Sequence, residues 1–258
     1  MFQVARNILV TGTNRGIGFG LVKELVKINP PQGYIFATCK NPTGPESKAL
    51  QNFASQHDNT HVLQLDTTDL SSIKRAASEV QSQLNGRGLN LLINNAGRNS
   101  QALFLEHVDQ EDMLRSYKTN AVGPLLVVKE FLPLLKKAAT ETTKGNVGGN
   151  KAVVVNISSI ISSIGEGFKT ATKIPPGYQY RVSKTALNMV NACLAEELKT
   201  DGIACVLLHP GWVKTDMGSE QAPMTVETST KGLVKVISGL DSSSSGTFLD
   251  WEGKKIIW

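Results

Sequence analysis

Six short apolar runs, separated by longer amphipathic stretches, limit the folds open to this chain. The runs are rich in Val, Ile and Leu and do not alternate with polar residues, which is typical of strands covered on both faces. They are residues 7–11, 34–38, 61–65, 89–94, 152–157 and 203–209. Helical periodicity occupies 16–28, 46–56, 71–84, 110–137 and 180–200, followed by a late helix at 226–239 and a last strand near 247–249. Alternating strands and helices predict an α/β fold with a doubly wound parallel sheet.

Length and composition indicate one domain. The 258 residues can bury a large core, and no shift in composition marks a boundary, so we expect a single domain over residues 1–258. The chain carries 27 Lys and Arg against 22 Asp and Glu, but the cations are dispersed and only 6% of residues are aromatic. This distribution favours a phosphate-bearing cofactor over nucleic acid as the anionic partner.

The sequence also indicates a compartment. Its first residues run directly into a strand without an apolar signal segment, and no apolar run reaches the ~20 residues that span a bilayer. Cys39, Cys193 and Cys205 are scattered, and they form neither a CxxC pair nor a cluster with histidines. We therefore expect a cytosolic protein with no membrane partner and no metal site.

Two polar, Gly-containing insertions are longer than ordinary connections. Residues 140–150 precede a strand and are expected on the side of the sheet opposite its ligand crevice. Residues 162–177 follow a strand and are expected to lie over that crevice. The second insertion is therefore the candidate substrate entrance.

A glycine-rich turn connects the first strand to the first helix. Residues 11–18 have the sequence TGTNRGIG, and missing β-carbons let such a backbone turn tightly and approach a pyrophosphate. The helix N-terminus favours the phosphate charge. The cofactor-binding residues predicted in this loop are Gly12, Asn14, Arg15, Gly16, Ile17 and Gly18.

The charge of the residues at the end of the second strand indicates whether the cofactor is NADH or NADPH. Sites for NADH carry an acidic residue about 20 positions past the glycines, to bond the adenosine ribose. Here residues 38–41 read TCKN, so a cation replaces the acid. Lys40 and Arg15 can pair with a 2′-phosphate, which predicts NADPH. The alternative is that both are ordinary surface cations.

Other cofactor residues are predicted at the carboxyl ends of later strands. Asp66 can meet the adenine amino group, or it can be a turn residue at a helix N-terminus. A rigid turn after the sixth strand can present residues to the nicotinamide amide. The further cofactor-binding candidates are Asn95, Ala96, Gly97, Pro210, Gly211, Val213 and Thr215.

Tyr180 and Lys184 are spaced i, i+4 at the start of a helical segment, so both lie on one helical face. A phenol with a pKa near ~10 needs a nearby cation to serve as an acid–base group, and Lys184 supplies it. The alternative is a partly buried tyrosine beside a surface lysine.

Two further polar residues are catalytic candidates. Ser159 follows the fifth strand and can hydrogen-bond a substrate carbonyl oxygen that Tyr180 protonates, although serines also cap loops. Asn120 is an unfavourable residue within a predicted helix, where it can hold a water next to Lys184. Solvent exposure without a function is the alternative for Asn120.

Taken in order, these motifs resemble the short-chain dehydrogenase/reductase family over nearly the whole chain. The motifs are 11–18, Asp66, 94–97, Asn120, 158–159, Tyr180 with Lys184, and 210–215. The resemblance implies a Rossmann-type fold and a catalytic tetrad of Asn120, Ser159, Tyr180 and Lys184. It also implies that Tyr180 and Lys184 contact the cofactor, with Lys184 holding the nicotinamide ribose.

Residues 11–18, 134–139 and 208–218 look like the Sniffer group of carbonyl reductases within that family. That group implies NADPH-dependent reduction of reactive aldehydes, ketones or quinones, associated with protection against oxidative stress. The longer 162–177 loop departs from the group, so the small-molecule carbonyl substrate stays open. The alternatives are a dehydrogenase for one hydroxyl compound, such as a steroid, and a catalytically idle NADPH-binding redox regulator. The resemblance allows either a monomer or a homodimer.

Overall fold

The computed structural model describes residues 6–100, 103–141, 152–170 and 176–258. Seven strands of these residues form one sheet: β1 (Asn7–Thr11), β2 (Tyr34–Cys39), β3 (Thr60–Gln64), β4 (Leu91–Asn94), β5 (Ala152–Ile157), β6 (Ile203–His209) and β7 (Phe248–Asp250). Their order is β3-β2-β1-β4-β5-β6-β7, and every neighbouring pair is parallel. The predicted doubly wound parallel sheet is therefore confirmed. The order reverses between β1 and β4, where such sheets bind ligands beyond the carboxyl ends of the strands.

Helices cover both faces of the sheet. They are α1 (Gly16–Ile28), α2 (Lys48–Ala54), α3 (Leu70–Leu84), α4 (Gln110–Tyr117), α5 (Gly123–Thr140), α6 (Gly167–Thr170), α7 (Tyr178–Glu197) and α8 (Val226–Ser238). One buried apolar cluster joins the sheet to α1 and α8, and a second joins it to α3, α5 and α7. Because both faces of the sheet are covered, most strands have runs of consecutive apolar residues instead of alternating apolar and polar ones.

The prediction of one unbroken helix over 110–137 is wrong. A π-helical turn, Lys118–Val122, separates α4 from α5. Pro124 has no backbone N–H to donate to the carbonyl of residue 120, so the regular hydrogen-bond ladder cannot pass through this point. The break places Asn120 inside the π turn, where it is fully buried.

The two insertions are only partly described. Of residues 140–150, only Thr140 and Glu141 lie within the described ranges. Of residues 162–177, positions 171–175 lie outside them, and the described part contains the short helix α6. Across the described ranges, no helix is both long and apolar enough to cross a membrane.

Candidate active site

The glycine loop between β1 and α1 is shaped by close backbone contacts. Gly12 has φ +69°, and a β-carbon there would lie 2.8 Å from Ala96 Cα. A β-carbon on Gly18 would lie only 2.1 Å from the carbonyl oxygen of Gly12 and 2.5 Å from Asn95 Nδ2. Glycine at both positions therefore lets the loop close on itself and on the segment after β4.

Hydrogen bonds tie that loop to the segment after β4. The Thr11 hydroxyl accepts from the backbone N–H groups of Asn95 and Ala96, each at 3.0 Å. The Asn95 side-chain amide donates to the carbonyl oxygens of Thr11 and Gly12, at 2.9 and 3.1 Å. Two predicted cofactor segments that are far apart in sequence thus form one rigid wall.

A cleft of about 890 Å³ extends from the glycine loop to α7. Among the predicted site residues, those that line it are Gly12, Asn14, Arg15, Gly16, Ile17, Gly18, Lys40, Asp66, Asn95, Ala96, Gly97, Tyr180, Lys184, Pro210 and Thr215. Asn120, Ser159, Gly211 and Val213 are not lining residues. Val213 is buried and forms a β-bridge with Met224 beside the cleft.

The two cations predicted to meet a 2′-phosphate already have carboxylate partners. Arg15 Nε lies 3.0 Å from Asp216 Oδ2, and Lys40 Nζ lies 3.0 Å from Asp66 Oδ2. Both cations are well exposed, so these ion pairs are weak and a phosphate can compete for them. Both also line the cleft, as their predicted role requires.

Asp66 occupies a turn as well as the cleft. Its Oδ1 accepts hydrogen bonds from the backbone N–H and the hydroxyl of Thr68, at 2.9 and 2.7 Å. Burial alone would raise the pKa of Asp66, but the bonds from Thr68 and the pairing with Lys40 outweigh it and lower that pKa. These contacts fit the interpretation of Asp66 as a turn residue.

Tyr180 and Lys184 meet at the other end of the cleft. Lys184 is only 4% exposed, so the interpretation as a surface lysine is wrong. Its Nζ donates to the carbonyl oxygen of Ile157 at 2.7 Å and lies 5.9 Å from the centre of the Tyr180 ring. Burial disfavours charge on both groups: it raises the pKa of Tyr180 to about 12 and lowers the pKa of Lys184 to about 8.

Ser159 is the second residue after β5, and it hydrogen-bonds the Tyr180 phenol. This bond opposes the effect of burial and lowers the pKa of Tyr180. With a pKa that still stays near 12, the phenol keeps its proton at neutral pH and can donate it. The two hydroxyls therefore lie side by side at the carboxyl end of β5.

Asn120 connects the segment after β4 to α7. Its Oδ1 accepts from the backbone N–H of Arg98 at 2.8 Å, and its Nδ2 donates to the Arg98 carbonyl and to Ser183 Oγ, at 2.8 and 2.9 Å. Full burial rules out the solvent-exposed interpretation. A β-carbon on Gly97 would lie 3.2 Å from Asn120 Oδ1 and 3.6 Å from Lys184 Nζ, so these groups converge. The water between Asn120 and Lys184 stays a prediction.

Several cleft residues had no signal in the sequence. The cations Arg115 and Lys118 line the cleft because α4 and the π turn border it, and Arg98 lines it from the segment after β4. The Arg98 guanidinium is anchored to Asp112 Oδ1 at 2.7 Å and to Ser116 Oγ at 2.8 Å. These contacts depend on how α4 packs, which local sequence does not reveal.

Comparison with known proteins agrees with this geometry. The sequence model for short chain dehydrogenases matches residues 6–225. An uncharacterized oxidoreductase of Schizosaccharomyces pombe is 31% identical over 262 residues, covering 95% of this chain and 94% of that protein.

Two solved structures are similar over almost the full length. An NADPH-bound carbonyl reductase from chicken fatty liver is 45% identical with a TM-score of 0.91, covering 98% of this chain and 99% of that one. The carbonyl reductase Sniffer of D. melanogaster is 38% identical, also with a TM-score of 0.91, covering 99% and 100%.

Proposed function

Because the chain belongs to the short-chain dehydrogenase family of oxidoreductases, we propose that it is an NADPH-dependent carbonyl reductase. One observation carries the proposal: a single cleft joins the glycine loop to the half-buried Tyr180 and the buried Lys184, with Ser159 bonded to the phenol. A cofactor held at one end then faces a proton donor at the other. The 45% identity to an NADPH-bound carbonyl reductase supports reduction of a carbonyl compound.

The cleft fits a phosphorylated dinucleotide. Its glycine loop closes tightly on itself and on the segment after β4, and it leads into the N-terminus of α1, which favours the charge of a pyrophosphate. Arg15 and Lys40 supply exposed positive charge for the 2′-phosphate, and neither Asp nor Glu occurs at residues 38–41. When bound, NADPH supplies the hydride. We assign the remaining contacts with NADPH to residues 95–97, which follow β4, and to residues 210–215.

The residues of the chain perform the proton chemistry. When a substrate binds, its carbonyl oxygen replaces the bond between the two hydroxyls and accepts hydrogen bonds from both Ser159 and Tyr180, which stabilises the negative charge that develops there. Tyr180 then transfers its proton to that oxygen. Lys184 keeps a positive charge below about pH 8, which favours loss of the phenolic proton. Asn120 holds the turn at Gly97 and the helix α7 in register, and we propose that it also holds the water that supplies protons to Lys184.

The decisive experiment follows NADPH oxidation by the purified protein with a panel of quinones, diketones, aromatic aldehydes and ketosteroids. NADH is run in parallel, and Tyr180→Phe is the inactive control. We expect turnover of several small carbonyls with NADPH and little with NADH. Turnover of one ketosteroid alone would favour the specific dehydrogenase. Tight NADPH binding without any turnover would favour the redox regulator.

Three wider expectations belong to the same proposal. We place the reductase in the cytosol, assign it a part in oxidative-stress protection, and assign the 162–177 loop to the substrate entrance. Loop variants should therefore change KM across the panel more than they change NADPH affinity. Sedimentation of the purified protein distinguishes a monomer from a homodimer.

A further inference from the structure

A buried amide lies one helical turn beyond Lys184. Asn188 is 3% exposed, and both ends of its side chain are used. Its Oδ1 accepts from Ser158 Oγ at 2.6 Å, and its Nδ2 donates to Ser162 Oγ at 2.9 Å. The family motifs that identify the site do not include this residue.

Ser158 precedes Ser159 in the chain, and Ser162, three residues after Ser159, holds its backbone. Ser162 Oγ donates to the carbonyl oxygen of Ser159 at 2.5 Å, and the Ser162 N–H donates to the same oxygen at 2.9 Å. On the other side, the Ser158 N–H donates to the carbonyl of Leu208 at 2.8 Å. The hydroxyls of Ser158 and Ser162 are themselves 3.2 Å apart. Ser159 thus lies in a short segment that is held by hydrogen bonds on both sides of it.

We propose that Asn188 is a positioning residue that fixes the Ser159 hydroxyl against the Tyr180 phenol. Tyr180 and Asn188 belong to the same rigid helix, whereas Ser159 belongs to the segment after β5. Asn188 bonds to Ser158 and Ser162, which lie before and after Ser159, so it helps to set the distance between the helix and that segment, together with the bond from Thr185 Oγ1 to the Ser162 carbonyl. This inference rests on the proposed function, because the Ser159 hydroxyl and the Tyr180 phenol are the two groups that act on the carbonyl oxygen in the proposed reaction.

The chain provides a matched control one turn further along α7. Asn191 is also fully buried, and its Oδ1 accepts from Asn156 Nδ2 at 2.9 Å while its Nδ2 donates to the Cys205 carbonyl at 3.3 Å. It makes no bond to Ser158, Ser159 or Ser162 in the described part of the chain. Asn191→Ala therefore removes a buried amide without disturbing the Ser159 segment.

The kinetic test compares Asn188→Ala with Asn191→Ala and Ser159→Ala in the full chain. We expect Asn188→Ala to lower kcat by about 10- to 100-fold, because small misplacements of reacting groups have effects of that size. The NADPH dissociation constant should stay within about twofold of the wild type, since Asn188 does not line the cofactor cleft. Asn191→Ala should lose much less kcat. Adding Asn188→Ala to Ser159→Ala should cause little further loss, because the hydroxyl to be positioned is gone.

Hydrogen exchange supplies a readout that needs no turnover. Asn188→Ala should accelerate amide exchange in residues 158–163, and Asn191→Ala should not. Ser162→Ala is the milder second variant if Asn188→Ala folds poorly, and it should act in the same direction. Equal loss of kcat from Asn188→Ala in the wild-type and Ser159→Ala backgrounds would overturn the proposal, as would unchanged exchange in residues 158–163.

The two readouts separate the inference from the proposed function. If the wild-type protein reduces no carbonyl but Asn188→Ala still loosens residues 158–163, the proposed function fails and the positioning role stands. If the wild type is active and Asn188→Ala changes neither kcat nor exchange, the positioning role fails and the proposed function stands.

Discussion

The two ends of the cleft are built in different ways. At the cofactor end, the backbone of the glycine loop provides the shape, and the side chains of Arg15 and Lys40 are 65% and 78% exposed. At the catalytic end, buried side chains provide the shape: Asn120 is 0% exposed and Lys184 is 4% exposed. Exposed ion pairs contribute about 0–1 kcal/mol each, whereas an unsatisfied buried polar group costs about 1–3 kcal/mol. Single substitutions of the exposed side chains at the cofactor end should therefore have small effects on binding, whereas substitutions of its glycines should have larger ones. Single substitutions at the catalytic end should have large effects on turnover.

The largest expected effect is at Tyr180. Tyr180→Phe removes the proton donor and leaves the ring, so kcat should fall by about 100- to 10,000-fold. The NADPH dissociation constant should change little, because the glycine loop and the exposed cations are untouched. Steady-state turnover and a fluorescence titration of NADPH measure the two quantities. If Tyr180→Phe retained turnover with any carbonyl compound, another group would have to be the proton donor. The catalytic end of the cleft would then not be the more sensitive end to single substitutions.

Gly18→Ala tests the backbone-built end. The new β-carbon would lie 2.1 Å from the Gly12 carbonyl oxygen, so the loop must shift, and we expect a loss of about 1–3 kcal/mol in NADPH binding. Gly239→Ala is the matched control, because its nearest neighbour, the Val236 carbonyl oxygen, would lie at 3.5 Å. If the two variants bound NADPH equally well, the loop would tolerate a β-carbon at position 18, contrary to what the close contact with the Gly12 carbonyl oxygen predicts.

Lys184 should make the buried end sensitive to pH. Burial lowers its pKa to about 8, so the ammonium is present below that pH and is lost as the pH rises through it. We expect kcat/KM for NADPH, which reports on groups of the free enzyme, to fall by up to about tenfold per pH unit above pH 8. The pH profile of Lys184→Met should lack this limb and stay low throughout. A flat wild-type profile up to about pH 10 would contradict the assignment.

The same contrast separates what the sequence predicts from what it does not. The β strands, the glycine loop and the catalytic pair could be predicted because their signals are local. These signals are the apolar runs, the missing β-carbons, and the spacing of Tyr180 and Lys184. The buried network around Asn188 could not, since its partners Ser158 and Ser162 lie 30 and 26 residues away in sequence. Asn120 is an intermediate case, because the sequence marks the residue as a candidate but does not predict the π turn that buries it.

The smallest expected effect concerns the exposed cation at the cofactor end. Lys40→Asp removes the pairing with a 2′-phosphate and places a second carboxylate beside Asp66, so NADPH binding should weaken relative to NADH by about 1 kcal/mol, roughly fivefold. Lys254→Asp makes the same charge change at an exposed ion pair with Glu252, away from the cleft, and should leave the ratio of the two dissociation constants unchanged. If both variants lowered NADPH affinity equally, the overall positive charge of the protein would account for the preference. If only Lys40→Asp did so, the preference for NADPH over NADH would depend on the Lys40 side chain itself. In that case kcat should be unchanged, because the substitution does not alter the catalytic end of the cleft.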